Sequence, residues 1–133
     1  MIDIENQVNT LIYNAVVNDY PTMTFYSGLN LSPSSFPSLC VEMLNPIPVK
    51  STLDSSNVEK YTDVTFEINI FTNETSGKKQ AAKAICSLID TAMFRKGFTR
   101  TSYVPNGIDQ GTKYRLLVRY QAAVDQYNRI YRR

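Results

Sequence analysis

The side chains that carry most chemistry near neutral pH are scarce in this chain. Its 133 residues include no histidine, which removes the usual metal ligand and the usual general base. Cys40 and Cys86 lie far apart with no paired spacing. Without histidine they make no zinc site of common type, and they read as small buried hydrophobes rather than as a disulfide. Asp63 and Glu67 stand four apart on a strand-like run, so they share a face and superficially resemble a carboxylate pair. Solvated face residues are the expected reading. No phosphate-cradling glycine pattern and no convincing Ser-x-x-Lys nucleophile is present. These residues predict a protein with no catalytic site, cofactor or metal.

The chemistry that remains is electrostatic. Arg115 and Arg119 share one face of a strand-like run. Arg100, Tyr103, Tyr127, Tyr131 and the tail arginines could join them. Basic residues interleaved with tyrosines can contact phosphates and stack on bases, although edge arginines also guard sheets against aggregation. Formal charge is +2 overall, but residues 1–77 carry two basic residues against nine acids and residues 78–133 carry twelve against three. Such a chain can present opposite potentials on opposite surfaces, which suits head-to-tail self-association or an acidic partner. The alternative is a fold that mixes the halves into a near-neutral surface.

The elements that must position these residues are legible from periodicity. Around Lys60–Thr72, Val64, Phe66, Ile68 and Ile70 alternate with Thr65, Glu67 and Asn69, the pattern of a half-buried strand. Ala82, Ile85, Leu88, Ile89, Ala92 and Met93 recur at helical spacing, with Thr75 or Ser76 as the expected cap, Arg95 and Lys96 in the last turn and Gly97 as the stop. A first helix is predicted from an Asp3 cap to about Asp19, with Val8, Leu11, Ile12, Ala15 and Val16 as its stripe and Tyr20-Pro21 beyond it. A short strand at Thr22–Tyr26 is possible. Strands are predicted at Leu39–Leu44, stopped by Asn45-Pro46-Ile47-Pro48, at Phe98–Val104, followed by a turn region made of Pro105-Asn106-Gly107 and Gln110-Gly111, and at Lys113–Asp125. Residues 45–60 are polar, long and flanked by strands, so they are predicted to project as a hairpin arm. Residues 126–133 form a basic C-terminal tail.

The length suits a single domain over 1–133 that needs no disulfide or metal to hold its core. Met1 is followed by Asp3 and Glu5, unlike a secretory signal, and no apolar run approaches the ~18 residues of a membrane helix. The expected fold class is α+β: a mostly antiparallel or mixed sheet of four, possibly five, strands with two helices packed on one face.

The run Val64–Thr101, followed by Thr112–Asp125, resembles the tail terminator and minor-capsid-type head–tail joining proteins of long-tailed bacteriophages. The matching parts are a strand ending in a polar turn (Ile68 to Asn73), a Lys/Ala-rich helix (Lys78 to Met93), a Gly-Phe-x-Arg-Thr segment (Gly97 to Thr101) and a Tyr-Arg strand (Tyr114 to Tyr120). The resemblance covers most of the chain. It implies a structural virion protein at the neck, made in the host bacterial cytoplasm. Its subunits would form a homo-oligomeric ring, usually of six, that caps the tail tube. The partners would be the tail tube protein and the head-connector proteins, with genomic DNA crossing the lumen without sequence-specific binding and no membrane involved. A head-closure or adaptor protein, or a small nucleic-acid-binding domain with a basic strand face, are the alternatives. The expected assembly interface comprises Pro46, Pro48, Lys50 and Lys60 of the arm, Lys78 and Lys79 of the second helix, Arg115 and Arg119 of the last strand, and Arg129, Arg132 and Arg133 of the tail. The sheet, through its unpaired strand edges, is expected to supply the contacts between subunits.

Overall fold

The structure is a computed structural model and describes residues 4–26, 36–44, 47–48, 61–73, 78–108, 113–125, 127 and 129–131. The element order is α1 (Glu5–Val16), β1 (Thr24–Tyr26), β2 (Ser38–Met43), β3 (Ile47–Pro48), β4 (Tyr61–Thr72), α2 (Lys78–Lys96), β5 (Thr99–Ile108), β6 (Lys113–Asp125) and β7 (Ile130–Tyr131). The fold is α+β, as the periodicities predict. The sheet has seven strands in the order β1-β2-β4-β6-β5, with β3 beside β4 and β7 beside β6. The additions to the predicted set are β3 and β7, each of two residues. Among the described residues only the β1–β2 pair is parallel; the other pairings are antiparallel.

The β4–β6 pair is the spine. Twelve consecutive residues pair, from Tyr61 opposite Asp125 to Thr72 opposite Tyr114. The alternation that predicted β4 decides which face is buried. Val64, Phe66, Ile68 and Ile70 join Leu116, Val118, Tyr120, Ala122 and Val124 in one core with both helices. From α1 this core takes Val8, Ile12 and Val16, and from α2 it takes Ala82, Ile85, Cys86, Ile89 and Met93. Both helices therefore lie on one sheet face. β6 intervenes between β4 and β5, so the crossover through α2 skips one strand.

Several boundaries differ from expectation. Ile4, not Asp3, occupies the position ahead of α1, and no side chain caps it. α1 stops at Val16, and turn residues follow up to Asp19. Burial of the stripe, rather than a cap, thus holds this asparagine-rich helix. Beyond Met43, Leu44, Ile47 and Pro48 are still bonded to the sheet. The Leu44 N–H donates to the Thr65 carbonyl at 2.8 Å, and Ile47 and Pro48 pair with Asp63 and Thr62. Ile47 and Pro48 of the predicted arm are thus strand, and its residues 45, 46 and 49–60 lie outside the described residues.

The turn expected at Pro105-Asn106-Gly107 is instead strand, since β5 continues to Ile108 opposite Lys113. Among the described residues β5 has a sheet neighbour on one side only, and an edge strand tolerates proline because an outward-facing backbone position has no ladder bond to lose. One irregularity falls at Thr101, between Arg100 and Ser102. α2 ends as predicted. Gly97 has φ 114°; its N–H reaches the Phe94 carbonyl at 3.1 Å and the Phe98 N–H reaches the Met93 carbonyl at 2.9 Å. These are the two bonds of a Schellman stop. They aim Phe98 into the core, edge-on to Phe66 at 5.8 Å.

Candidate assembly surface

The sheet face turned away from the helices carries the strand arginines. Strand pairing sets Glu42 of β2, Glu67 of β4 and Arg119 of β6 in one cross-strand row. Arg119 donates from Nε to Glu67 Oε2 at 2.9 Å, and its Nη2 lies 2.7 Å from the same oxygen. Asn69 donates from Nδ2 to Glu67 Oε1 at 3.4 Å and accepts at Oδ1 from Arg115 Nε at 2.8 Å. Arg115 also lies over the Phe71 ring, 5.9 Å from its centroid. The four polar groups form one chain across β4 and β6.

Glu67 is therefore not the solvated face residue expected of it: it is only 8% exposed and ion-paired. Its cross-strand partner decides this, and pairing between strands separated by some fifty residues has no local signature. The acidic and basic halves meet here as well. An acid of the first half and arginines of the second are joined within one ladder, so the charge split of the sequence is partly cancelled inside the sheet.

The other expected interface residues are scattered. Lys79 is exposed at the start of α2. Pro48 and Lys78 belong to β3 and α2, but their side chains are not described. Pro46, Lys50, Lys60, Arg132 and Arg133 lie outside the described residues. Arg129 sits at the far end of the sheet, where the tail folds back instead of trailing. There Asp125 Oδ1 accepts from the backbone N–H of Tyr127 and of Arg129, both at 2.9 Å. Its Oδ2 accepts from Arg129 Nε at 2.9 Å and from the Tyr131 hydroxyl at 3.1 Å. The Asp125 N–H donates to the Arg129 carbonyl at 2.9 Å, and Ile130 and Tyr131 then pair with Val124 and Ala123. Burial pushes the Asp125 carboxyl up, but the N–H groups of Arg129 and Tyr127 and the side chains of Tyr131 and Arg129 outweigh it and hold it below its ordinary value.

A second cluster, also missed by sequence reasoning, ties α2 to the sheet. The buried Tyr120 donates from its hydroxyl to Asp90 Oδ1 at 3.0 Å, and Arg100 Nη1 lies 3.3 Å from the same oxygen. Arg100 stacks over Tyr103 at 5.2 Å. Burial, then Cys86 and Asp90, raise the pKa of the Tyr120 hydroxyl; burial, then Asp90, raise that of the Cys86 thiol. Both groups stay protonated, so the cluster offers no nucleophile near neutral pH. Tyr120 and Tyr114 are the two tyrosines in the core stripe of β6, and a buried tyrosine hydroxyl usually finds a partner; Tyr120 does, whereas the Tyr114 hydroxyl has none among the described residues. Both cysteines are free and buried. Among the described residues no group of three or more cysteine or acidic side chains could hold a metal, and no helix is long and apolar enough to cross a membrane.

No family model matches the chain, and no curated protein matches its sequence. Among solved structures, the fold is similar to that of a chain in the virion of a native gene transfer agent particle. The TM-score is 0.59 at 13% identity, and the likeness covers 92% of this chain and 94% of that one. What the two chains share at this identity is the fold, over nearly their whole lengths.

Proposed function

We propose that this protein is a structural virion component, a tail terminator whose subunits form a ring, of six by the sequence resemblance. The ring would cap the tail tube and join it to the head connector, with DNA crossing the lumen. The near full-length likeness to a virion chain carries this reading, and the phage-type motifs of the sequence agree with it. The ten-residue edge of β5, with Tyr103 and Val104 exposed, is an available surface for a neighbouring subunit. The three-residue β1 at the opposite edge offers a shorter template.

Negative-stain imaging of the purified protein, alone and with tail tubes of the same particle, tests the proposal. Closed rings, free or seated at one tube end, are expected. Particles that stay single subunits in both samples overturn it. Rings that bind only the head connector would replace the terminator by a neck adaptor.

A further inference from the structure

A cleft of about 430 Å³ opens where three distant parts of the chain meet, lined by Gln7, Arg95, Lys96, Arg129 and Ile130. Gln7 belongs to the first turn of α1, Arg95 and Lys96 to the last turn of α2, and Arg129 and Ile130 to the tail fold-back. Cations in the last turn of α2 have a local explanation, since they complement the helix dipole. That explanation does not cover Arg129, which the tail brings to the same cleft against like charge. The Asp125 knot fixes its position: Asp125 holds both the Arg129 N–H and its Nε, and Ile130 packs against the core beside it. Among the described residues, the Asp125 carboxylate thus stands against three cations. Glu5, two residues ahead of Gln7, is not among the lining residues.

Aromatic faces adjoin the charge. Arg129 lies 5.3 Å from the centroid of Tyr127, and Tyr127 and Tyr131 are both exposed. Two arginines, Arg132 and Arg133, follow in the sequence. A carboxylate-bearing protein segment would use the cations alone. Cations bordered by exposed tyrosines suit a phosphate–sugar backbone, which arginine, lysine and tyrosine side chains contact in duplex DNA.

We infer that this cleft is a sequence-independent contact site for the phosphate backbone of DNA. It lies at the tail end of the subunit, not on the strand face of Arg115 and Arg119. The inference does not rest on ring formation. Rings that lack DNA affinity overturn it alone, and single subunits that bind DNA leave it standing while the ring reading fails.

Fluorescence anisotropy with a short labelled DNA duplex of arbitrary sequence tests it. Three neutralised phosphates give a slope of about −2.7 in log affinity against log salt, so binding weakens about 40-fold between 50 and 200 mM salt. Arg95→Ala with Lys96→Ala is expected to flatten the slope by about 2, with circular dichroism unchanged because both side chains are exposed. Lys79→Ala with Lys83→Ala, in the first half of α2, is expected to leave the slope as it was. No binding at 50 mM salt, an unchanged slope in the first variant, or equal flattening in the second overturns the inference. Tighter binding of an oligoglutamate peptide than of the duplex assigns the cleft to an acidic protein segment, and that too overturns it.

Discussion

Replacing Arg119 by methionine should destabilise the fold far more than neutralising its partner, and strand register supplies the reason. Glu67 stands between Glu42 and Arg119 in one cross-strand row. Directly opposed β residues lie about 5 Å apart at Cβ, so the acids repel across β2 and β4 while Arg119 offsets them from β6. The Glu67 side chain is 11% exposed and that of Arg119 is 44% exposed.

Losing a charged hydrogen bond costs about 1.5–3 kcal/mol, and the half-exposed arginine places Arg119→Met in the lower part of that range, at about 2 kcal/mol. Glu67→Gln keeps an oxygen for Arg119 and removes the repulsion with Glu42, so its net cost is about 0.5 kcal/mol or less. Once Arg119 is gone, Glu67→Gln should restore about 1 kcal/mol, because it removes a charge left almost dry. Urea unfolding followed by circular dichroism reads all four proteins, with equal m-values needed for the comparison. A Glu67→Gln cost equal to that of Arg119→Met refutes this reasoning. So does a double variant no more stable than Arg119→Met, since the row would then not be coupled.

Ile89→Ala, in the fully buried stripe of α2, should cost about 3 kcal/mol in the same assay, while Ser87→Ala on the exposed side changes stability by about 0.5 kcal/mol or less. Gly97→Ala places a Cβ at φ 114° and should cost about 1–2 kcal/mol without altering the far-ultraviolet spectrum below the transition. Because the Asp125 carboxyl is held below its ordinary value of 3.8, its contribution is present above that value and is lost as pH falls through the lower folded-state value. Slowed amide exchange at Tyr127 and Arg129 should therefore persist at pH 5 and fade only in stronger acid, and Asp125→Asn should weaken it at every pH. Cys40 and Cys86 should resist iodoacetamide at pH 8 in the native protein and react in urea, because both are buried and burial raises the pKa of Cys86; rapid native labelling of either contradicts the packing.

The sequence by itself determined the elements whose signals are local. Alternation in Val64–Ile70 and the three-four spacing of Ile85, Ile89 and Met93 settled what forms a strand, what forms a helix and which side of each faces the shared core. Gly97 marked the end of α2 because only a residue without Cβ accepts that φ cheaply. Tertiary structure alone decided the rest. Pro105 lies in a strand because β5 takes the sheet edge. Glu67 is buried because Arg119, fifty-two residues on, is its neighbour across the ladder. The tail folds back because Asp125 ends β6 where four donors can reach it. Arg95, Lys96 and Arg129 share a cleft because α2 and β7 end at the same corner of the fold. In each case the deciding partner is remote in sequence, and strand order, which no local periodicity encodes, brings it near.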